Sequence, residues 1–190
     1  MDLDHVNIID GFFSNHELAN LTTWKIGGKA KFYVEVENRY KLHETLHFAK
    51  KVGLPVYILG GGSNLLIDDA GVLGVVIKLK GEFRESHNVN STTIKVGAGF
   101  PMPRLAKKMA NAGFPGFEFM VGIPGTVGGG VVANAGRGAG GPCMASILKS
   151  VCYIDDKFQE NTENVGTLDM TYRSSKFRNM KFIVLDVDFL

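Results

Sequence analysis

Gly60, Gly61 and Gly62, followed by Ser63 and Asn64, form the stretch LGGGSNLLI over 59–67. Successive backbone N–H groups in a tight turn make a concave nest of positive partial charge, and glycines let a phosphate reach it with no Cβ in the way. The serine hydroxyl and asparagine amide add donors at the same place. A plain tight turn between two strands accounts for the same residues. The common phosphate loops do not match. No Gly, four residues, Gly-Lys-Ser/Thr spacing occurs, and in the dinucleotide pattern the third glycine would fall on Leu65.

A second run, GIPGTVGG over 122–129, offers similar chemistry. Pro124 sets a turn, Gly125 follows it, and Thr126 suits the N-cap of a short helix whose N–H groups would point at a ligand. Gly128, Gly129 and Gly130 keep that helix bare, so a flat group could lie close; tight helix–strand packing is the alternative. Two bare-backbone loops in one small chain suggest a long ligand with both phosphates and a planar ring. HETLH (43–47) matches the H-E-x-x-H zinc pattern, with Glu44 as base. Leu42, Leu46 and Ala49 mark the buried face of that helix, so His43 and His47 lie off its edge. The extended pattern's glycine and third histidine are missing. The expectation is a solvated helix face and no metal.

These residues must be carried by regular elements. KFYVEVE (31–37) alternates as a strand does, Asn38 suits the cap of a helix with Leu42, Leu46 and Ala49 inward, and Gly53 suits its stop. PVYIL (55–59) and VVIKL (75–79) read as strands on either side of the glycine loop. STTIKVGAG (91–99) reads as a strand and PRLAKKMANAG (103–113) as a helix. A short helix is expected inside the second glycine run. ILKSVCYID (147–155) and FIVLDVDFL (182–190) read as strands flanking a polar insert, QENTENVG, and the segment TYRSSKF. Strands mixed with helices make the class α/β or α+β. The expected division is a first lobe over 1–80 and a second over 81–190.

Composition narrows the classes. The chain has 190 residues, 45% hydrophobic, and a formal charge of +2 with no basic stripe, so no nucleic-acid partner is expected. Glycine contributes 24 residues, well above the usual share of about 7%. Cys143 and Cys152 fit no common zinc spacing and are too few for a disulfide framework. No apolar run reaches membrane length, and MDLDHVNIID lacks a signal peptide's basic start. A cytoplasmic location with no membrane contact is the expectation.

Four blocks in order, NLTTWKIGGKA (20–30), LGGGSNLLI (59–67), GFEFMVGIPGTVGGGVVANAG (116–136) and TYRSSKF (171–177), resemble the UDP-N-acetylenolpyruvoylglucosamine reductases, also called UDP-N-acetylmuramate dehydrogenases. These flavoenzymes complete UDP-N-acetylmuramate in bacterial peptidoglycan synthesis. The resemblance covers nearly the whole chain. It implies an α+β fold, the two-lobed FAD-binding domain of the vanillyl-alcohol-oxidase (PCMH) type, with FAD held between the lobes. It implies that Gly60, Gly61, Gly62, Ser63 and Asn64 wrap the FAD pyrophosphate. Gly122, Ile123, Pro124, Gly125, Thr126, Val127, Gly128 and Gly129, with Asn134, Ala135 and Gly136, would line the flavin and its ribityl chain. Arg173 matches the active-site arginine. Alone it reads as an ordinary surface arginine; Tyr172 and Ser174 beside it make the block. In the implied reaction NADPH reduces FAD, hydride passes to an enolpyruvyl double bond of a nucleotide-sugar substrate, and a fixed guanidinium stabilises the charge that builds toward the carboxylate.

The chain also departs from the pattern. The family's third domain supplies a serine that protonates the enolate and a glutamate nearby, and no position here receives those roles. The expectation is that this chain alone does not complete the reaction. A non-catalytic flavin-binding module, or a degenerate homologue without the substrate domain, is the alternative. Arg137 is a large cation where the family carries a small residue, and Trp24 stands where a smaller aromatic is common. An open flavin cleft would offer an apolar patch for self-association.

Overall fold

A computed structural model describes residues 11–178 and 181–190. The acidic N-terminal stretch MDLDHVNIID lies outside them. The chain divides into two compact units, Met1–Gly81 and Glu82–Leu190.

The first unit is a four-stranded sheet with one helix. Its strands are β1 (Phe12–Glu17), β2 (Lys29–Val36), β3 (Val56–Ile58) and β4 (Val72–Leu79), in the order β1-β2-β4-β3. β1 runs antiparallel to β2, whereas β2 and β3 both run parallel to β4. Helix α1 (Arg39–Val52) makes the crossover from β2 to β3. Asn38 caps it, its Oδ1 accepting from the Lys41 N–H at 2.9 Å, and Gly53 ends it at φ +69°. Leu42, Leu46 and Ala49 face the core, and Phe48 meets Phe12 and Phe32 edge-on. Leu18, Ala30, Tyr33, Leu59 and Val76 form a further buried cluster beside the glycine loop.

The second unit is an antiparallel five-stranded sheet. Its strands are β5 (Ser86–Asn88), β6 (Ile94–Gly97), β7 (Leu148–Ile154), β8 (Glu160–Asn164) and β9 (Ile183–Phe189), in the order β5-β6-β9-β7-β8. Helices α2 (Met102–Asn111) and α3 (Val127–Val132) belong to it. Leu105 and Met109 of α2 are buried, as are Met120, Val151, Val187 and Phe189.

The strands and helices expected at 31–37, 39–52, 55–59, 75–79, 91–99, 103–113, 147–155 and 182–190 are all present within a few residues. Three strands were not expected. β1 reads FFSNHE and β5 is only SHN, so neither shows a period of two. β8 lies in the segment read as a polar insert; ENTEN is polar on both faces because it is a sheet edge, paired to β7 alone.

Candidate active site

The glycine loop of the first unit is held by close approaches of its own chain. Gly62 has φ +67°, and a Cβ there would lie 2.1 Å from the Leu21 carbonyl oxygen. Its own carbonyl accepts from the Thr23 N–H at 3.0 Å. Gly28 is equally tight, with an added Cβ 2.2 Å from the Asp69 carbonyl oxygen, and the Gly28 N–H donates to Asp68 O at 2.9 Å. The TTWKIGG segment is therefore the platform on which the loop sits. The sequence marked it only as part of a resemblance. The N–H groups of Gly60, Gly61 and Asn64 donate to no backbone carbonyl among the described residues. Gly61 and Asn64 are exposed. Those donors fit a diphosphate, which carries acceptor oxygens only. Ser63 already has a partner within the chain.

The second glycine run behaves differently from the expectation. Thr126 caps α3, its Oγ1 accepting from the Gly129 N–H at 3.4 Å. The next N–H groups do not point at a ligand. Val127 donates to Phe100 O at 2.9 Å and Gly128 to Ala98 O at 2.8 Å. Added Cβ atoms would meet Ala98 Cβ at 2.9 Å from Gly128 and Met102 Sδ at 2.6 Å from Gly130. Val127, Gly128 and Gly130 are buried, and the absence of a side chain at Gly128 and Gly130 serves packing against the chain. Gly122 and Gly129 are exposed. Nothing lies within 4 Å of a Cβ built at Gly122, and only Thr126 Oγ1, at 3.6 Å, meets one at Gly129. Pro124 is exposed, and Ile123 and Gly125 are half-buried.

Asn134 and Ala135 are also structural. Asn134 is 6% exposed at φ +40°. Its Nδ2 donates to Thr171 O at 2.8 Å and its Oδ1 accepts from the Ala145 N–H at 3.1 Å, so the side chain braces both segments of the cavity wall. Ala135 is buried with both backbone groups bonded, to Gly130 O and from Met144 N.

Beyond Asn134 the second unit opens into a cavity of about 250 Å³. Two segments line it. One runs from Gly136 to Ala145 and is pinched shut by the Gly136–Cys143 bridge. The other is Met170, Thr171, Tyr172 and Arg173. Thr171 and Ser174 exchange both backbone bonds, at 3.0 and 3.1 Å, around a two-residue turn with Tyr172 and Arg173 at its tip. Arg173 sits at φ +58°, a conformation costing a side-chain-bearing residue about 1–2 kcal/mol. Its carbonyl accepts from the Arg178 guanidinium. Of the residues expected at the site, Asn134, Gly136 and Arg173 meet at this cavity. Tyr172, Met170, Cys143 and the glycines of the 138–141 loop line it too and were not expected. Their only signal was adjacency to recognised blocks. Arg137 is exposed and does not line the cavity; its N–H donates to Pro142 O at 3.0 Å, which closes the loop.

Behind the turn lies a polar cluster. Lys176 Nζ stands 2.5 Å from Glu163 Oε1, which also accepts from the Tyr153 hydroxyl, and Thr167 Oγ1 donates to Glu163 Oε2 at 2.8 Å. The bond from Lys176, with that from Tyr153, holds the Glu163 carboxyl down at about 2. Burial works against the Lys176 charge, but Glu163 and Tyr153 together outweigh it and hold the ammonium above its usual value.

HETLH lies on α1, where Glu44 pairs with Lys41 at 3.7 Å. Among the described residues no group of three or more His, Cys, Asp or Glu side chains is placed to hold a metal ion. No described helix is long and apolar enough to cross a membrane.

Residues 30–157 match the FAD binding domain family. UDP-N-acetylenolpyruvoylglucosamine reductase 2 of Symbiobacterium thermophilum is 39% identical over 87% of the chain and 53% of its own length. The reductase of Synechococcus sp. strain RCC307 is 40% identical over 90% of the chain and 56% of its own length. The chain thus spans about half the length of the curated relatives it matches. The crystal structure of the Thermus caldophilus reductase superimposes with a TM-score of 0.77 at 34% identity, covering 94% of this chain and 60% of that one. An alkyldihydroxyacetonephosphate synthase aligns at 0.64 with 15% identity, which speaks for the fold alone.

Proposed function

The chain belongs to the FAD-binding domain family, with the two-lobed PCMH-type fold, and from that premise we propose that it supplies the FAD-binding part of the NADPH-dependent reduction of UDP-N-acetylglucosamine enolpyruvate to UDP-N-acetylmuramate. The observation that carries the reading is the placement of Arg173, an arginine held in a left-handed turn at the wall of a cavity where it is the one charged side chain beside four glycines, Asn134, Thr171 and Tyr172.

FAD, when bound, supplies the hydride chemistry. The chain's own residues do the rest. The N–H groups of Gly60, Gly61 and Asn64 would hold the FAD diphosphate. Gly122, Gly129 and Gly136 would present main chain without side chains to its ring system and ribityl chain. Val127, Gly128 and Ala135 take no contact role; they hold α3 and its exit in place. Arg173 anchors the carboxylate of an enolpyruvyl group and lowers the energy of the negative charge that builds there. A planar fork of donors suits that carboxylate better than a point charge does. NADPH as the reductant and the nucleotide sugar as the substrate come with the relatives' activity.

A flavin spectrum of the FAD-loaded chain tests the reading. Titration with UDP-N-acetylglucosamine enolpyruvate is expected to perturb the flavin bands in the native chain, and at higher substrate concentration in Arg173→Lys, whose point charge lacks the paired donors of the guanidinium. Retention of full substrate affinity by Arg173→Lys would overturn the role of Arg173, and failure of the native chain to bind FAD would overturn the reading as a whole.

A further inference from the structure

We propose that Lys176 is a positioning residue. It latches the Thr171–Ser174 turn to the sheet edge through Glu163 and an aromatic box, and so holds Arg173 in its left-handed conformation at the cavity wall. The inference rests on the reading of Arg173 as the substrate-facing cation.

The turn lies between β8 and β9 and is held by its own pair of backbone bonds and by what its flanks grip. Upstream, Thr171 O is held by Asn134. Immediately downstream, the Ser175 hydroxyl donates to Val132 O at 2.9 Å, and Lys176 N–H donates to Leu168 O at 2.9 Å. Those bonds set the backbone path. They leave a non-glycine residue at φ +58°, which persists only where its surroundings over-determine it.

The Arg178 guanidinium holds the Arg173 carbonyl from an exposed side chain, and Lys176 adds a largely buried hold. Its ammonium lies 5.1 Å from the centre of the Tyr153 ring, 5.8 Å from Phe182 and 5.9 Å from Phe177. The three rings pack on one another, Tyr153 against Phe177 at 5.2 Å and against Phe182 at 4.9 Å. Three rings and one carboxylate hold a cation in a single place. The anchors are on regular structure: Tyr153 on β7 faces Asn161, and Glu163 on β8 faces Val151, so the two form a diagonal pair in the antiparallel ladder. A charge 14% exposed therefore ties the irregular segment, three residues past Arg173, to the sheet.

Amide exchange by NMR in the full chain, without FAD, tests the latch apart from the functional reading. In Lys176→Met the Thr171 and Ser174 amides are expected to exchange at least about tenfold faster, with β7 and β9 amides unchanged. Lys176→Arg is expected to restore most of that protection. In an Arg173→Gly background, where the left-handed turn needs no holding, the same Lys176→Met change is expected to accelerate those amides less than about threefold. Equal acceleration in both backgrounds, or none in either, would overturn the latch. If Lys176→Met loosens the sheet as well, Glu163→Gln decides, since it preserves shape: faster exchange confined to 171–174 supports the latch, and unchanged exchange refutes it. Failure of the Arg173→Lys substrate titration with a positive exchange result would remove the functional reading and leave the latch standing.

Discussion

A methyl group on Gly62 would meet the Leu21 carbonyl oxygen at 2.1 Å, at a φ of +67°. Gly138 has nearly the same angle, +68°, with nothing within 4 Å. The pair separates two penalties that glycine avoids. Gly138→Ala is expected to lose about 1 kcal/mol, the left-handed strain alone, and Gly62→Ala about 2–4 kcal/mol, strain plus overpacking, measured by urea unfolding. Glu163 gives a pH signature at the same scale. Its carboxyl is held at about 2 against an ordinary 4.5, mainly by Lys176. A depressed acid stabilises the fold fully above its unfolded value and loses that contribution as pH falls through the folded one. Lys176 is raised from 10.5, so its share is complete below that value and is lost as pH climbs past the raised one. The window of full stabilisation runs from about 4.5 to 10.5. Thermal melts between pH 5 and pH 2 are expected to show about 1–2 kcal/mol lost in the native chain beyond that lost in Glu163→Gln. That figure is reduced for screening, because Glu163 is 29% exposed.

At the scale of the element, α3 shows how one glycine run serves two ends. Gly128 and Gly130 face Ala98 and Met102, whereas Gly129 faces outward. Gly128→Ala is expected to destabilise by about 1–3 kcal/mol through overpacking. Gly129→Ala is expected to gain up to about 1 kcal/mol, since alanine loses less backbone freedom in a helix. If Gly129 touches the flavin, that stabilised variant binds FAD more weakly. Opposite signs in a thermal melt and an FAD titration therefore separate packing from contact. Sequence reasoning found this helix and its Thr126 cap. It did not find which side of the helix is covered, because three glycines carry no hydrophobic period. β8 was missed for a related reason: an edge strand with no buried face shows no alternation of polar and apolar residues.

At the scale of the whole molecule, each unit has a core of its own, and each offers one feature suited to a flavin dinucleotide: free N–H groups in the first, a glycine-walled cavity with a cation in the second. A ligand that binds only the folded chain adds stability by mass action. FAD at about 100 times its dissociation constant is expected to raise the thermal midpoint by about 5–10 °C for a chain of this size. An unchanged midpoint at saturating FAD would count against the cofactor assignment.

Local rules were enough for the elements with a strong period or cap. Asn38, Gly53 and Pro103 punctuate their helices as their chemistry demands, and the triple glycine and the Tyr-Arg-Ser block were conspicuous as residue types. What each glycine is for was decided only in three dimensions. Gly62 is required by a carbonyl forty residues earlier, Gly128 by an alanine thirty residues earlier, and Asn134 gives its amide to the turn that carries Arg173. Steric exclusion and hydrogen-bond saturation depend on which distant segment arrives alongside, and a residue's type and spacing do not encode that arrival.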